Sequence, residues 1–234
     1  LKPTTPRTTP KTIPKTTPKM TPGTKGSSSL INPSKSTTNA IPKSLERIEK
    51  DSKDIAEDIS KKDWENAREK LTSIEREWSS YHGTTRKENI STTHIDTFTK
   101  DLADLKKFVK EEKQYEASLA ANKLSLDTLG FMELYKPKIP TYIGKLNYYV
   151  RQIMINAEHG DWDKAEAELK SAEATWTTAK GEVDKISSRH TKEFSDTLAR
   201  LSTAVKEKNI KTTKELSRKL LDEINTIESD FKKR

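Results

Sequence analysis

Apolar side chains from residue 45 onward recur at the spacing of helices that bury one face. Two stretches step alternately by three and four positions, so each places one apolar stripe along a helix, as in a coiled coil or a left-handed bundle. The first stripe consists of Trp64, Ala67, Leu71, Ile74, Trp78 and Tyr81, and the second of Trp162, Ala165, Leu169, Ala172, Trp176, Ala179, Val183 and Ile186. The pattern predicts an all-α body.

The helical pattern occurs twice in the chain. The tryptophans at 64 and 78 return at 162 and 176, 98 positions later, and both pairs are 14 positions apart. His94 returns as His190, 96 positions later, before the same order of Phe, Leu, Leu and Val. A repeat of this length indicates a duplicated architecture.

Each copy is predicted to contain four helices joined by short connections. The tryptophan helix is expected over roughly 63–82 and 161–184, and the histidine helix over roughly 93–112 and 189–207. Asp63 and Asp161 suit the N-cap position, and Gly160 suits the end of the preceding helix. Short connections imply antiparallel neighbours, so each copy is either an up-down four-helix unit or two stacked hairpins.

Two tandem bundles are the favoured arrangement, over residues 45–135 and 139–234. Pro137 and Pro140 stand between the copies, and two prolines so close together break a helix and reset its direction.

Residues 1–44 differ in composition from the rest of the chain. They contain 8 of the 10 prolines, 11 threonines and 8 lysines or arginines, with no acidic residue. Closely spaced prolines favour an extended polyproline II chain, and few apolar groups offset the entropy of ordering it. We therefore predict a disordered, extended tail that acts as a stalk or linker.

The net positive charge of the chain, +8, lies entirely in this tail. Of 44 basic residues 8 are in the tail, so 36 basic and 36 acidic residues remain in a neutral body. A solvated linker is the favoured interpretation of the tail, and contact of its lysines with anionic wall polymer or lipid headgroups is the alternative. Nucleic-acid binding is disfavoured because no aromatic residue interleaves the charges as a base-stacking platform requires.

The repeated tryptophans and histidines are the candidate ligand-binding residues: His94, His190, Trp64, Trp78, Trp162 and Trp176. Core packing is favoured for the indoles, with a ligand groove as the alternative. Packing or capping is favoured for the histidines, with metal or haem ligation in a bundle core or pH sensing as alternatives. Glu-x-x-His spacing, typical of transition-metal sites, is absent from the sequence.

Other catalytic chemistry has little support in the sequence. The chain contains no cysteine, which excludes disulfides, thiolate metal sites and cysteine nucleophiles. The glycines form no phosphate-binding loop, and the carboxylates alternate with lysines as on a solvated face, so no buried pair of acids is expected. We therefore expect a protein that is not an enzyme and has no cofactor.

The order Asp-Trp-x-x-Ala, a second Trp, a His and then an apolar helix resembles an uncharacterised helical domain of low-GC Gram-positive bacteria. Residues 45–134 resemble it through Trp64, Trp78 and His94-Ile95-Asp96, and residues 139–231 resemble it again. The second copy departs from the pattern at Thr191-Lys192, which follow its histidine. The resemblance implies an extracytoplasmic, often membrane-anchored protein without established activity.

Two function hypotheses follow. The first is a non-enzymatic, lipoprotein-like envelope protein whose stalk holds a helical domain away from the membrane to bind a protein or wall partner. A chain that starts at Leu1 is expected to be a mature form from which a targeting segment has been removed. The rival is a small-ligand, haem or metal-binding lipoprotein that uses His94 and His190 with the nearby tryptophans.

Overall fold

The structure, a computed structural model, describes residues 40–85 and 90–233. Eight α-helices and one short 3-10 turn, Glu133–Tyr135, make up the regular structure of this part. The helices are α1 (Lys43–Ser60), α2 (Trp64–Thr85), α3 (Thr92–Lys110), α4 (Gln114–Met132), α5 (Thr141–His159), α6 (Trp162–Asp184), α7 (Ser188–Lys206) and α8 (Ile210–Lys232). The predicted all-α fold is confirmed. The predicted disordered tail, residues 1–44, lies outside the described residues except for its last five.

The helices form four hairpins, and the same backbone turn closes each of them. The hairpins are α1–α2, α3–α4, α5–α6 and α7–α8. One residue in each turn has the left-handed conformation: Lys62 (φ 59°), Glu112 (φ 52°), Gly160 (φ 85°) and Lys208 (φ 53°). Only one of these four positions holds the residue that adopts this conformation without steric cost.

The α5–α6 turn shows how these hairpins are closed. Gly160 N–H donates to the Ala157 carbonyl at 3.1 Å, and Asp161 N–H donates to the Asn156 carbonyl at 2.9 Å, which together form a Schellman motif. The Asp161 side chain then accepts from Lys164 N–H at 3.3 Å and caps α6. The predicted N-cap at Asp161 and helix-ending role of Gly160 are therefore confirmed, and Asp63 caps α2 in the same way through Asn66 N–H.

Two hydrophobic cores lie on either side of residues 136–140. Helix α1 packs on α2 and α4, and α3 packs on α4, around the first core. Helix α5 packs on α6 and α8, and α7 packs on both of these helices, around the second core. The helices before and after residues 136–140 also pack on each other through α4 and α5, so two separate domains stay a prediction.

Helices α4 and α5 run antiparallel across the boundary between the two cores. At one end the Tyr115 ring stacks on His159, with ring centroids 3.7 Å apart, and the Tyr115 hydroxyl donates to Asn156 Oδ1 at 3.1 Å. Near the other end, a Cβ on Gly144 would lie 2.7 Å from both methyl carbons of Leu129. The small residue at 144 is what allows the two helices to approach this closely.

Helices α1 and α8 meet alongside α4 and α5. Lys53 Nζ on α1 lies 3.2 Å from Glu228 Oε1 on α8, and it also pairs with Glu49 at 2.5 Å. We call the interface formed by α1, α4, α5 and α8 the seam. Gln114 donates to the Ile59 and Ser60 carbonyls, which fixes the end of α1 against the start of α4 at one end of the seam.

Gly160→Ala is expected to lower the free energy of unfolding by about 1 kcal/mol, because alanine pays a steric cost in the left-handed conformation. Gly181→Ala is the matched control, since Gly181 is an exposed helical residue in the last turn of α6 and a Cβ there contacts nothing. That change should raise stability by roughly 0.5–1 kcal/mol. Urea unfolding measures both, and two shifts of the same sign would contradict the assigned turn.

Candidate functional site

The second tryptophan of each repeat is buried in a core and contacts a phenylalanine. Trp78 is 6% exposed with its ring centroid 4.0 Å from that of Phe98, and Trp176 is 5% exposed and 4.2 Å from Phe194. The Trp176 indole N–H donates to Ser195 Oγ at 2.9 Å, which satisfies the donor that burial removes from water. These side chains are structural parts of the two cores.

The first tryptophan of each repeat opens the second helix of its bundle. Trp64 begins α2 and packs partly buried against the first core, and Trp162 begins α6 and packs in the same way against the second. The four indoles are therefore divided between two cores, and the aromatic rings that Trp78 and Trp176 contact belong to the same bundle as each indole.

His94 lies in the first turn of α3 and packs against the end of α4. Its ring stacks on Phe131 with centroids 4.2 Å apart, and it hydrogen-bonds the backbone of Asp127. A Cβ on Gly130 would lie 2.5 Å from the His94 ring, so glycine makes room for the imidazole. Burial lowers the pKa of His94 below its usual value, and the half-buried ring is therefore neutral at physiological pH.

His190 occupies the equivalent place in α7 but makes a different contact. Its Nε2 lies 3.1 Å from Asp230 Oδ2 on α8, and its backbone N–H is capped by Ser187 Oγ. The structure thus places the two histidines against the last helices of separate bundles and does not bring them together. Among residues 40–85 and 90–233, no three His, Cys, Asp or Glu side chains are close enough to hold a metal ion.

A pair of acids lies between α3 and α4, contrary to the expectation of no buried acidic pair. Asp101 is 4% exposed and lies beside the half-buried carboxyl group of Asp127, and Lys123 Nζ lies 2.6 Å from Asp101 Oδ2. Burial, then the hydrogen bond and charge of Asp101, raise the pKa of Asp127 to about 7. A hydrogen bond between two carboxyl groups requires a proton, so the pair holds one below neutral pH.

The second bundle has a neutral donor at the equivalent position. Thr197 stands 96 positions after Asp101, and its hydroxyl lies 3.1 Å from Glu223 Oε1, the acid 96 positions after Asp127. Lys219 Nζ lies 3.6 Å from the same oxygen, whereas the ion pair of Lys123 in the first bundle is with Asp101. Burial raises the pKa of Glu223, but the hydroxyl can donate without the shared proton that two carboxylates need.

The seam contains polar side chains that connect the helices across it. Asn122 on α4 is 1% exposed, and its amide donates to the Tyr148 carbonyl at 3.0 Å and to Gln152 Oε1 at 2.7 Å on α5. Arg151 donates to Asn147, one turn earlier on the same helix α5, at 2.9 Å. Burial lowers the pKa of Arg151, and the carboxylates of α1 and α8 oppose that shift. Buried hydrogen bonds of this kind fix the register of two packed surfaces.

Comparison with known families finds one match. Residues 36–131 match the family described as Domain of unknown function (DUF4363). The matched segment runs from before α1 to the last turn of α4. The first copy of the repeat is therefore similar to an uncharacterised domain family, as the sequence resemblance indicated. The match does not extend to residues 139–231, and their similarity to the same family stays a prediction. Comparisons with curated proteins and with solved structures found no match.

The raised pKa of Asp127 predicts a pH-dependent stability. Its pKa lies above the ordinary value of 3.8, so its contribution to stability is complete below about pH 4 and is lost as the pH rises through about 7. The amide of Asp127→Asn carries N–H donors at every pH and has no charge to bury. This variant should therefore raise the free energy of unfolding at pH 8 by about 1–2 kcal/mol.

Unfolding at pH 5 and pH 8 measures this effect. The control is Asp96→Asn, which removes an exposed acid from α3, the helix that carries Asp101, and should change the two values equally. A difference between wild type and Asp127→Asn that does not grow with pH would exclude a shared proton.

Proposed function

We propose that this chain, whose residues 36–131 match a family of unknown function, is a non-enzymatic interaction protein of the Gram-positive cell envelope. In this proposal the helical body is a scaffold that presents a binding surface. The basic tail contacts anionic wall polymer or lipid headgroups and holds the body near them.

The observation that carries the proposal is that the repeated tryptophans and histidines make contacts within their own bundles. The four tryptophans pack in or against the two cores, and each of the two histidines hydrogen-bonds the last helix of its own bundle. These residues were the strongest candidates for ligand chemistry in the sequence. Their contacts within each bundle support a structural role, and a scaffold needs such a core.

The seam supports the scaffold part of the proposal. The Lys53–Glu228 ion pair joins α1 to α8, and the Asn122–Gln152 hydrogen bond joins α4 to α5. Both contacts are half-buried or buried and cross between the two cores. A body held together in this way keeps its outer surfaces at fixed positions, which suits a protein that presents a binding surface to a partner.

The distribution of charge supports the role of the tail. The body has equal numbers of acidic and basic residues, so the net positive charge that attracts a polyanion at long range belongs to the tail. Each lysine or arginine near an anionic membrane contributes about 1 kcal/mol, and several together give appreciable binding. In the described residues, no helix is both long and apolar enough to cross a membrane. The envelope location rests on the family resemblance.

A charge-neutralised tail tests the proposal in the full-length chain. The variant replaces seven residues by glutamine: Lys2, Arg7, Lys11, Lys15, Lys19, Lys25 and Lys35. We expect at least a tenfold loss of binding to vesicles containing phosphatidylglycerol and to purified anionic wall polymer, with unchanged thermal unfolding. Co-sedimentation at low and physiological salt measures the binding.

The control variant makes the same change of charge on the body. It replaces seven exposed lysines by glutamine: Lys62, Lys107, Lys110, Lys180, Lys206, Lys208 and Lys211. This variant should retain binding. Equal losses in the two variants would show that net charge and not the tail is responsible, and retention of binding by the tail variant would refute the proposed contact.

A further inference from the structure

A groove opens at the end of the seam that contains the α4–α5 connection. The start of α1, the end of α4, residues 136–140, the start of α5 and the end of α8 form its walls. Its volume is about 1050 Å³, at the upper end of the range for sites that hold a small organic ligand. The Trp and His residues of the repeat do not line it.

The floor of the groove is apolar. Leu129 and Met132 come from α4, Ile139 and Pro140 come from the connection, and Ile41 comes from the segment before α1. Met132 and Ile41 pack only partly buried against the first core, and Ile139 does so against the second, so each leaves apolar surface facing the groove. Methionine and isoleucine on such a floor suit a flexible hydrocarbon.

The rim of the groove is basic. In the described part of the chain its lining has six lysines and four carboxylates, which leaves a surplus of two positive charges. Two of the lysines are neutralised, because Lys50 pairs with Asp54 and Lys53 pairs with Glu49 and Glu228.

The other four lysines of the rim are available to a ligand. Among residues 40–85 and 90–233, no carboxylate lies within ion-pair distance of Lys43, Lys136, Lys138 or Lys232. Glu46 is the one acid of the lining without an ion-pair partner in the same ranges. The two paired lysines face three carboxylates, so the lining as a whole keeps its surplus of two positive charges, and this surplus favours a ligand with a negatively charged end.

We propose that this groove binds a single-chain anionic amphiphile, with its acyl chain on the floor and its carboxylate or phosphate group beside Lys136 and Lys138. Apolar burial supplies the affinity, and the lysines of the rim select the sign of the headgroup. The proposal gives the body a ligand of its own and does not rest on binding by the tail.

The dimensions of the groove favour an acyl chain over a docked helix. A helix with side chains is 10–12 Å wide, so about two turns would fill a volume of this size. Two turns present few apolar anchors. An acyl chain has no backbone polar groups to satisfy and uses the apolar floor along its length.

Titration of the full-length protein with saturated fatty acids of 8, 10 and 12 carbons, each kept monomeric, tests the proposal. Isothermal titration calorimetry should show one site, with Kd falling roughly tenfold for each added pair of methylene groups. Inorganic phosphate, butyrate and the uncharged methyl ester of the 12-carbon acid should bind at least tenfold more weakly than the 12-carbon acid. Lysophosphatidylglycerol below its micelle concentration should compete for the same site.

Two pairs of substitutions locate the site. Lys136→Gln with Lys138→Gln should weaken binding of the 12-carbon acid about tenfold while leaving its dependence on chain length unchanged. Met132→Gln with Ile139→Gln should weaken the longer acids most, and circular dichroism checks that this variant folds. Lys110→Gln with Lys206→Gln is the matched control, because these exposed lysines lie at the far ends of α3 and α7.

Each alternative occupant predicts a different result. Phosphate binding as tight as the 12-carbon acid would show a simple anion site, and tight binding of an acidic amphipathic helical peptide with no binding of monomeric acids would show a peptide groove. Binding to phosphatidylglycerol vesicles without binding to monomeric amphiphile would place lipid contact elsewhere. Any of these results would overturn the proposal. The charge-neutralised tail variant should bind the 12-carbon acid normally, so failure of the tail proposal and of this one can be told apart.

Discussion

The antiparallel packing of α4 on α5 is the constraint on which the arrangement of the whole body depends. Glycine at residue 144 suits this close approach, because a Cβ there would overlap the methyl groups of Leu129 and require that side chain to shift. This contact places the end of α4 beside the start of α5, and the Tyr115–His159 ring pair fixes their other ends. With α4 and α5 aligned, α1 and α8 lie beside them and meet through Lys53 and Glu228. The groove with an apolar floor and a basic rim follows from this alignment, since its walls come from all four helices.

The two bundles have the same order of helices but differ at one acidic position between the third and fourth helix of each bundle. In the first bundle Asp101 faces the half-buried Asp127, and burial together with the neighbouring acid favours a proton on Asp127 up to near neutral pH. In the second bundle a threonine takes the place of Asp101, and its hydroxyl lies 2.8 Å from the Glu193 carbonyl and 3.1 Å from Glu223 Oε1. Threonine can satisfy a buried carboxylate at any pH, whereas a second carboxylate can do so only when protonated. Duplicated helices therefore carry different electrostatics in the same geometric position.

The sequence predicted the helical fold and much of its local detail for a physical reason. A period of 3.6 residues shows which side of a helix is buried, and Trp78 and Trp176 are buried as that period predicts. Capping depends on side chains a few residues apart, so Asp161 and Gly160 could be placed from their neighbours alone. The left-handed turns at Lys62, Glu112 and Lys208 were missed, because lysine and glutamate do not indicate that conformation. The acidic pair was also missed, although Asp101 lies at a helical spacing of three and four from Phe98 and Leu105.

By itself, then, the sequence determined the features that depend on near neighbours: the helices, their caps, the burial of the tryptophans and the separation of a basic tail from a neutral body. Only the tertiary structure decided which helices meet across the seam, that His94 and His190 face different helices, and that Asp127 lies against Asp101. These features depend on contacts between residues far apart in the chain, and hydrophobic periodicity says that a face is buried without saying what buries it. The groove belongs to the same class, because its walls are contributed by segments as far apart in the sequence as α1 and α8.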